Sequence, residues 1–166
     1  MNLCHCYSDV PQDEVSVSQT LLPGITLLST HLSYLAGTLP RSQVTQLYRR
    51  IANRLSEHIM QRQILYRGSV SLQEGLVILA ESRLWVDTCV QGLPRESVSR
   101  MEAPWRKLVS AAQLIGADEK TWEQAQSFTS GTLSDEDWVE SMEELLGVCD
   151  LERDEVRRLL RRREQS

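Results

Sequence analysis

The chain has one phenylalanine in 166 residues and few stretches in which β-branched and polar residues alternate. Strands draw on both, so a sheet-based fold is disfavoured and helices are left to supply the core. No apolar run approaches the ~18 residues that a membrane-crossing helix requires. Met1 to Val10 has neither the charged start nor the apolar centre of a signal peptide. Membrane contact is therefore expected to be peripheral or through a partner. The net charge of −5 argues against a general nucleic-acid binder. No segment recurs at a fixed interval, which disfavours a regular solenoid.

Cysteine is sparse too. Cys4, Cys6, Cys89 and Cys149 suggest no disulfide framework, so a reducing, cytoplasmic compartment is expected. Cys89 and Cys149 sit among apolar residues and read as small core side chains. Cys4-His5-Cys6 looks like a metal-binding fragment but lacks a second Cys/His pair. Catalytic patterns are also missing. Glu57-His58 lacks the second histidine of H-E-x-x-H, and there is no glycine-rich phosphate loop. His31 and His58 have no Cys, Asp or Glu at helical ligand spacing. The expectation is a protein with no enzymatic activity, cofactor, metal or small-molecule substrate. An enzyme remains a distant alternative, carried only by Cys4-His5-Cys6.

What is present is helical periodicity. The apolar fraction of 41% is ordinary for a globular domain, and the length is enough for one real core. The organising stretch is Pro40 to Val90. Leu47, Tyr48, Ile51, Leu55 and Ile59, led by Val44, form one stripe of a 3.6-residue period, with arginines opposite, and predict a helix from Pro40 to about Leu65. Gly68 offers a left-handed stop. Ser71 and Glu74 have capping-box spacing, and the helix they start carries Leu72, Leu76, Leu79, Val86 and Val90 on one face. Val77, Ile78, Leu84 and Trp85 widen that face enough to meet two neighbours.

Around this hairpin, residues 1–17 read as a tail or the remnant of a preceding segment, and 18–166 as one helical domain. Ser18 to Leu39 predicts a helix with Pro23-Gly24 in its first turns. Glu96 to Ala117 predicts a single helix kinked at Pro104. Asp118 and Ser134 are N-cap residues for two further helices, and a last helix follows Asp150, with Leu151, Val156, Leu159 and Leu160 inward. Trp85, Trp105, Trp122 and Trp138 occur singly in apolar stripes and are expected in the core. The result is an all-α bundle of about seven helices with short connections. Charge is uneven. From Asp118 to Glu155 acids dominate, broken by Lys120 and Arg153, after which Arg157, Arg158, Arg161, Arg162 and Arg163 make a basic tip. Such a tip suits a helix C-terminus and could also meet an acidic partner or membrane headgroups.

Two parts of this pattern carry a family resemblance. Pro40-Arg41-Ser42-Gln43-Val44, Tyr48-Arg49-Arg50-Ile51, Leu55 and Gln63-Ile64-Leu65, followed by Val70 to Leu79, are one. Leu145-Leu146-Gly147-Val148, Leu151, Glu155-Val156, Leu159-Leu160 and Arg162-Arg163 are the other. Together they resemble the C-terminal region of the RINT/Tip-type subunit of the Dsl (NRZ) vesicle-tethering complex, of the CATCHR helical-rod class. Val70 stands where that family has Phe, and Gly75-Leu76 where it tends to have Gly-Ala. The resemblance implies an elongated helical bundle that is the C-terminal domain of a longer, enzymatically silent subunit, peripheral on the endoplasmic reticulum. Such a domain acts in COPI-dependent Golgi-to-ER retrieval by binding SNAREs and other tether subunits. Arg157, Arg158 and Arg161 are the residues singled out for partner contact. The alternative reading is a helical adaptor of another, exocyst-like trafficking complex.

Overall fold

The computed structural model describes residues 17–147 and 149–163. The expected tail, but for Val17, and the Cys4-His5-Cys6 fragment lie outside them. The chain is an all-α multi-helix bundle. A 3-10 turn, Gln19–Leu21, leads into α1, Leu22–Thr38. There follow α2 (Arg41–Ile59), α3 (Leu72–Gly92), α4 (Val98–Glu102), α5 (Arg106–Ile115), α6 (Glu119–Ser130), α7 (Asp135–Leu146) and α8 (Arg153–Leu160). A 3-10 turn at Ala103–Trp105 joins α4 to α5 as one broken helical path. Seven helical units are thus present among the described residues, as expected from periodicity.

Caps fall where the sequence puts them. Ser71 and Glu74 form the reciprocal box that opens α3. The Asp118 side chain accepts the Thr121 N–H, and Ser134 accepts that of Asp137. Gly147 closes α7 at φ 88, the conformation that an L side chain resists. Gly68 does not: no other described residue has positive φ. Instead α2 runs on through a π-helical turn, Met60–Leu65, before the polar break.

The core face of α2 differs from the expected stripe. Val44, Tyr48, Ala52 and Ser56 are buried, and Met60 and Ile64 continue the row into the π turn. These positions step by fours, the ridge that interlocks with a neighbouring helix. Leu47, Leu55 and Ile59 flank the row, and Ile51 is exposed. The same correction applies to α3. Its deeply buried positions are Gly75, Ile78, Ser82, Trp85, Thr88, Cys89 and Gly92, while Leu72 is exposed. Small residues face inward because helix backbones come close there. A Cβ built on Gly75 would lie 2.8 Å from both the carbonyl carbon and oxygen of Ile115, so α3 and α5 cross backbone to backbone.

At Pro104 the helix lacks an N–H donor and breaks. Two hydroxyls from α2 take up carbonyls around the break. The Tyr48 hydroxyl donates to the Met101 carbonyl, and the Ser56 hydroxyl donates to that of Pro104 at 2.8 Å. The Tyr48 oxygen also accepts the Trp105 indole N–H at 3.0 Å. Burial pushes the Tyr48 hydroxyl pKa well above its ordinary value and raises the neighbouring Cys89 thiol to about 11. Trp105 stacks on Trp85 with centroids 6.2 Å apart, within the offset-stacked range. All four tryptophans are buried.

Candidate interaction surface

The terminal helix α8 is held by its own sequence. Val156 and Leu159 are fully buried against α5 and α6. A capping box between Glu152 and Glu155 opens the helix, and Glu155 also pairs with Lys107 of α5. Six arginines lie between positions 153 and 163, and they divide by role.

Arg153 is drawn into the turn between α6 and α7. Its guanidinium donates to the carbonyls of Gly131 at 2.8 Å and Leu133 at 2.9 Å, with longer contacts to Phe128 and Thr129. A cation thus serves the carbonyls that a helix end leaves without partners. Arg162 and Arg163 latch the chain onto distant elements. The Arg162 carbonyl accepts the Val70 N–H at 2.7 Å, and its side chain reaches the Arg67 carbonyl. Arg163 is buried over the Trp122 ring, 4.8 Å from its centroid. It donates to the Ala117 carbonyl and pairs with Glu119.

Arg157, Arg158 and Arg161 remain exposed. Arg157 and Arg158 lie in the last turn of α8, and Arg161 follows as its C-cap, four residues on from Arg157. Arg157 pairs with Asp154 at 2.7 Å, and the Arg158 Nε lies 3.4 Å from the Asp154 carbonyl. The sequence marks these three together, and the fold leaves them together on a helix whose opposite face is anchored. Chemically they offer forked N–H donors for carboxylate or phosphate oxygens.

His31 and His58 are both exposed, on α1 and α2. Among the described residues, no group of three His, Cys, Asp or Glu side chains is placed to hold a metal ion. No described helix is long and apolar enough to cross a membrane.

A second basic surface is not visible as a charge run, because its members come from distant parts of the chain. Arg41, Arg49 and Arg50 of α2 and Arg100 of α4 line an open basin of about 880 Å³ with Glu96 and three uncharged polar side chains. The Glu96 carboxylate is turned onto Arg41, and that bond holds its pKa below the usual carboxylate range. The usable signal was the four-residue period Arg41-Ser42, Thr45-Gln46, Arg49-Arg50, which builds two parallel polar rows on one helix.

No family model, no curated protein and no solved structure matches this chain.

Proposed function

We propose that this chain is a non-enzymatic helical domain of a vesicle-tethering subunit, peripheral on the endoplasmic reticulum, that acts in COPI-dependent Golgi-to-ER retrieval. It works by surface recognition of SNAREs and of other tether subunits. The observation that carries the reading is α8. Val156, Leu159 and Arg163, which belong to the terminal motif of the resemblance, anchor the helix, while Arg157, Arg158 and Arg161 face outward. Gly147 of the same motif has the positive φ that ends α7 and redirects the chain toward α8. An anchored helix loses little conformational freedom on contact, which favours affinity. The exposed guanidiniums supply charge matching to an acidic partner helix and speed the encounter.

The test is capture of purified SNARE N-terminal domains by the full chain. Domains from endoplasmic-reticulum SNAREs are expected to be retained and those from plasma-membrane SNAREs not. The triple reversal R157E/R158E/R161E should lose capture while keeping the helical circular dichroism spectrum. Retention of plasma-membrane domains alone would favour the exocyst-like alternative. Capture unaffected by the reversal would discard the α8 surface, and no capture of either set would discard the reading.

A further inference from the structure

We propose that the basin between the first half of α2 and the start of α4 is a binding site for a ligand carrying several phosphate groups. Its lining is the first argument. Four arginines, Arg41, Arg49, Arg50 and Arg100, face one carboxylate, Glu96, and the remaining lining side chains are uncharged and polar. No apolar side chain lines it. A partner helix docks through apolar anchors, and the basin offers none. Guanidinium forks, by contrast, match phosphate oxygens two at a time.

The second argument is the state of the cations. Arg41 is fixed in direction: it pairs with Glu96 and donates to the Arg95 carbonyl at 2.9 Å. The Glu96 side chain is only 5% exposed; Arg41 is its main partner, with Arg100 and Thr45 contributing less. Arg49, Arg50 and Arg100 have no ion-pair partner among the described residues. Arg49 and Arg50 are left without an acid among the described residues and Arg100 feels only the more distant field of Glu96, so like charges crowd one concave surface in a chain whose net charge is −5. A solvated polar face would intersperse acids with these arginines, as α8 does with Asp154.

A third feature adds to the field. The first turn of α2 contains no acidic residue, and Pro40 gives it no side-chain cap. The partial positive charge of a 19-residue helix is therefore met only by Glu96, from outside the helix. α3, α6, α7 and α8 carry acids in that turn, whereas α1, α4 and α5, like α2, do not. A multiply phosphorylated group seated in the basin would answer Arg49, Arg50 and Arg100 together.

Such phosphates could belong to a soluble inositol polyphosphate or to a phosphoinositide headgroup. The experiment uses the full chain at roughly 0.15 M salt. One arm titrates inositol hexakisphosphate by calorimetry. The other floats the chain with phosphatidylcholine vesicles containing phosphatidylinositol bisphosphate, against vesicles containing phosphatidylserine instead. Saturable binding in the first arm, or flotation specific to the phosphoinositide in the second, supports the site and identifies the source. R49E/R50E, on an exposed helix face, should weaken that binding at least about tenfold with an unchanged circular dichroism spectrum. R157E/R158E/R161E should leave it unchanged, which separates this site from the α8 surface and from the tethering reading. Absence of binding in both arms overturns the proposal. So does equal loss with either variant, or, where the first arm shows no saturable binding, flotation that phosphatidylserine supports equally.

Discussion

Replacing Gly75 with alanine sets two effects against each other. In a helix interior, alanine is favoured over glycine by about 1 kcal/mol. A smaller part of that gain should appear at Gly37, the penultimate residue of α1, where an added Cβ meets nothing within 4 Å. At Gly75 the new methyl would lie 2.8 Å from the carbonyl carbon and oxygen of Ile115 and 2.9 Å from the Gly116 nitrogen. Comfortable contacts begin near ~3.5 Å, so α3 and α5 must part. The obstructing atoms are backbone and cannot rotate aside. Overpacking of this kind costs roughly 1–3 kcal/mol, here at the upper end. After the helix gain is subtracted, G75A is expected to destabilise by about 1–2 kcal/mol. In a chain of this length that lowers Tm by roughly 2–8 °C. G37A should instead raise it slightly. Urea unfolding followed by circular dichroism gives both signs in one series, with m unchanged in each. A Gly75 variant that gains stability alongside the Gly37 variant would mean that the two helices do not cross at backbone contact.

Y48F removes the hydroxyl that accepts the Trp105 N–H and donates to Met101. It leaves a buried donor and a carbonyl unpaired, a cost of about 1–3 kcal/mol, readable as a lower unfolding midpoint in tryptophan fluorescence. R153A should loosen the turn between α6 and α7, giving faster amide exchange in residues 128–135. R153K should not restore protection, since an ammonium cannot serve several carbonyls as a planar fork does. Stability should also fall in acid. Glu74 accepts the Ser71 N–H and hydroxyl, Glu96 is bound by Arg41 and Asp118 by Thr121, and each is held below its ordinary pKa. A carboxyl depressed in the folded state stabilises above its unfolded pKa of about 4, and the benefit is lost as pH drops through the folded value. Thermal midpoints measured downward from pH 5 should decline, and the decline should be shallower in E74Q.

Helix positions and caps were legible in the sequence because they rest on local chemistry. Ser71-Glu74, Asp118, Ser134 and the break at Pro104 each need only their neighbours along the chain. The inward faces of α2 and α3 were less legible. Periodicity weighs apolar bulk, so it favoured Ile51 and Leu72, whereas the tightest contacts use Ala52, Ser56, Gly75 and Ser82. What puts such residues inside is the approach of another helix, which no single stretch encodes. Surface residues divided the same way. Arg157, Arg158 and Arg161 are neighbours in sequence and were found together. Arg100 joins Arg41 and Arg49 only after α4 has docked beside α2. The roles of Arg153 and Arg163 were hidden because a basic run gives no hint of which members will be drawn inside.

The latch at Arg162 and Arg163 has a consequence for biosynthesis. Val70 and Arg67, at the α2–α3 turn, receive their partners from residues nearly a hundred positions later. During translation that turn and the Trp122 ring therefore emerge well before the segment that closes over them. The nascent chain must wait with those groups open, at some 5–20 residues per second for several seconds. Contacts of such span slow folding, and an arrest late in synthesis would leave helices formed yet the bundle unsealed.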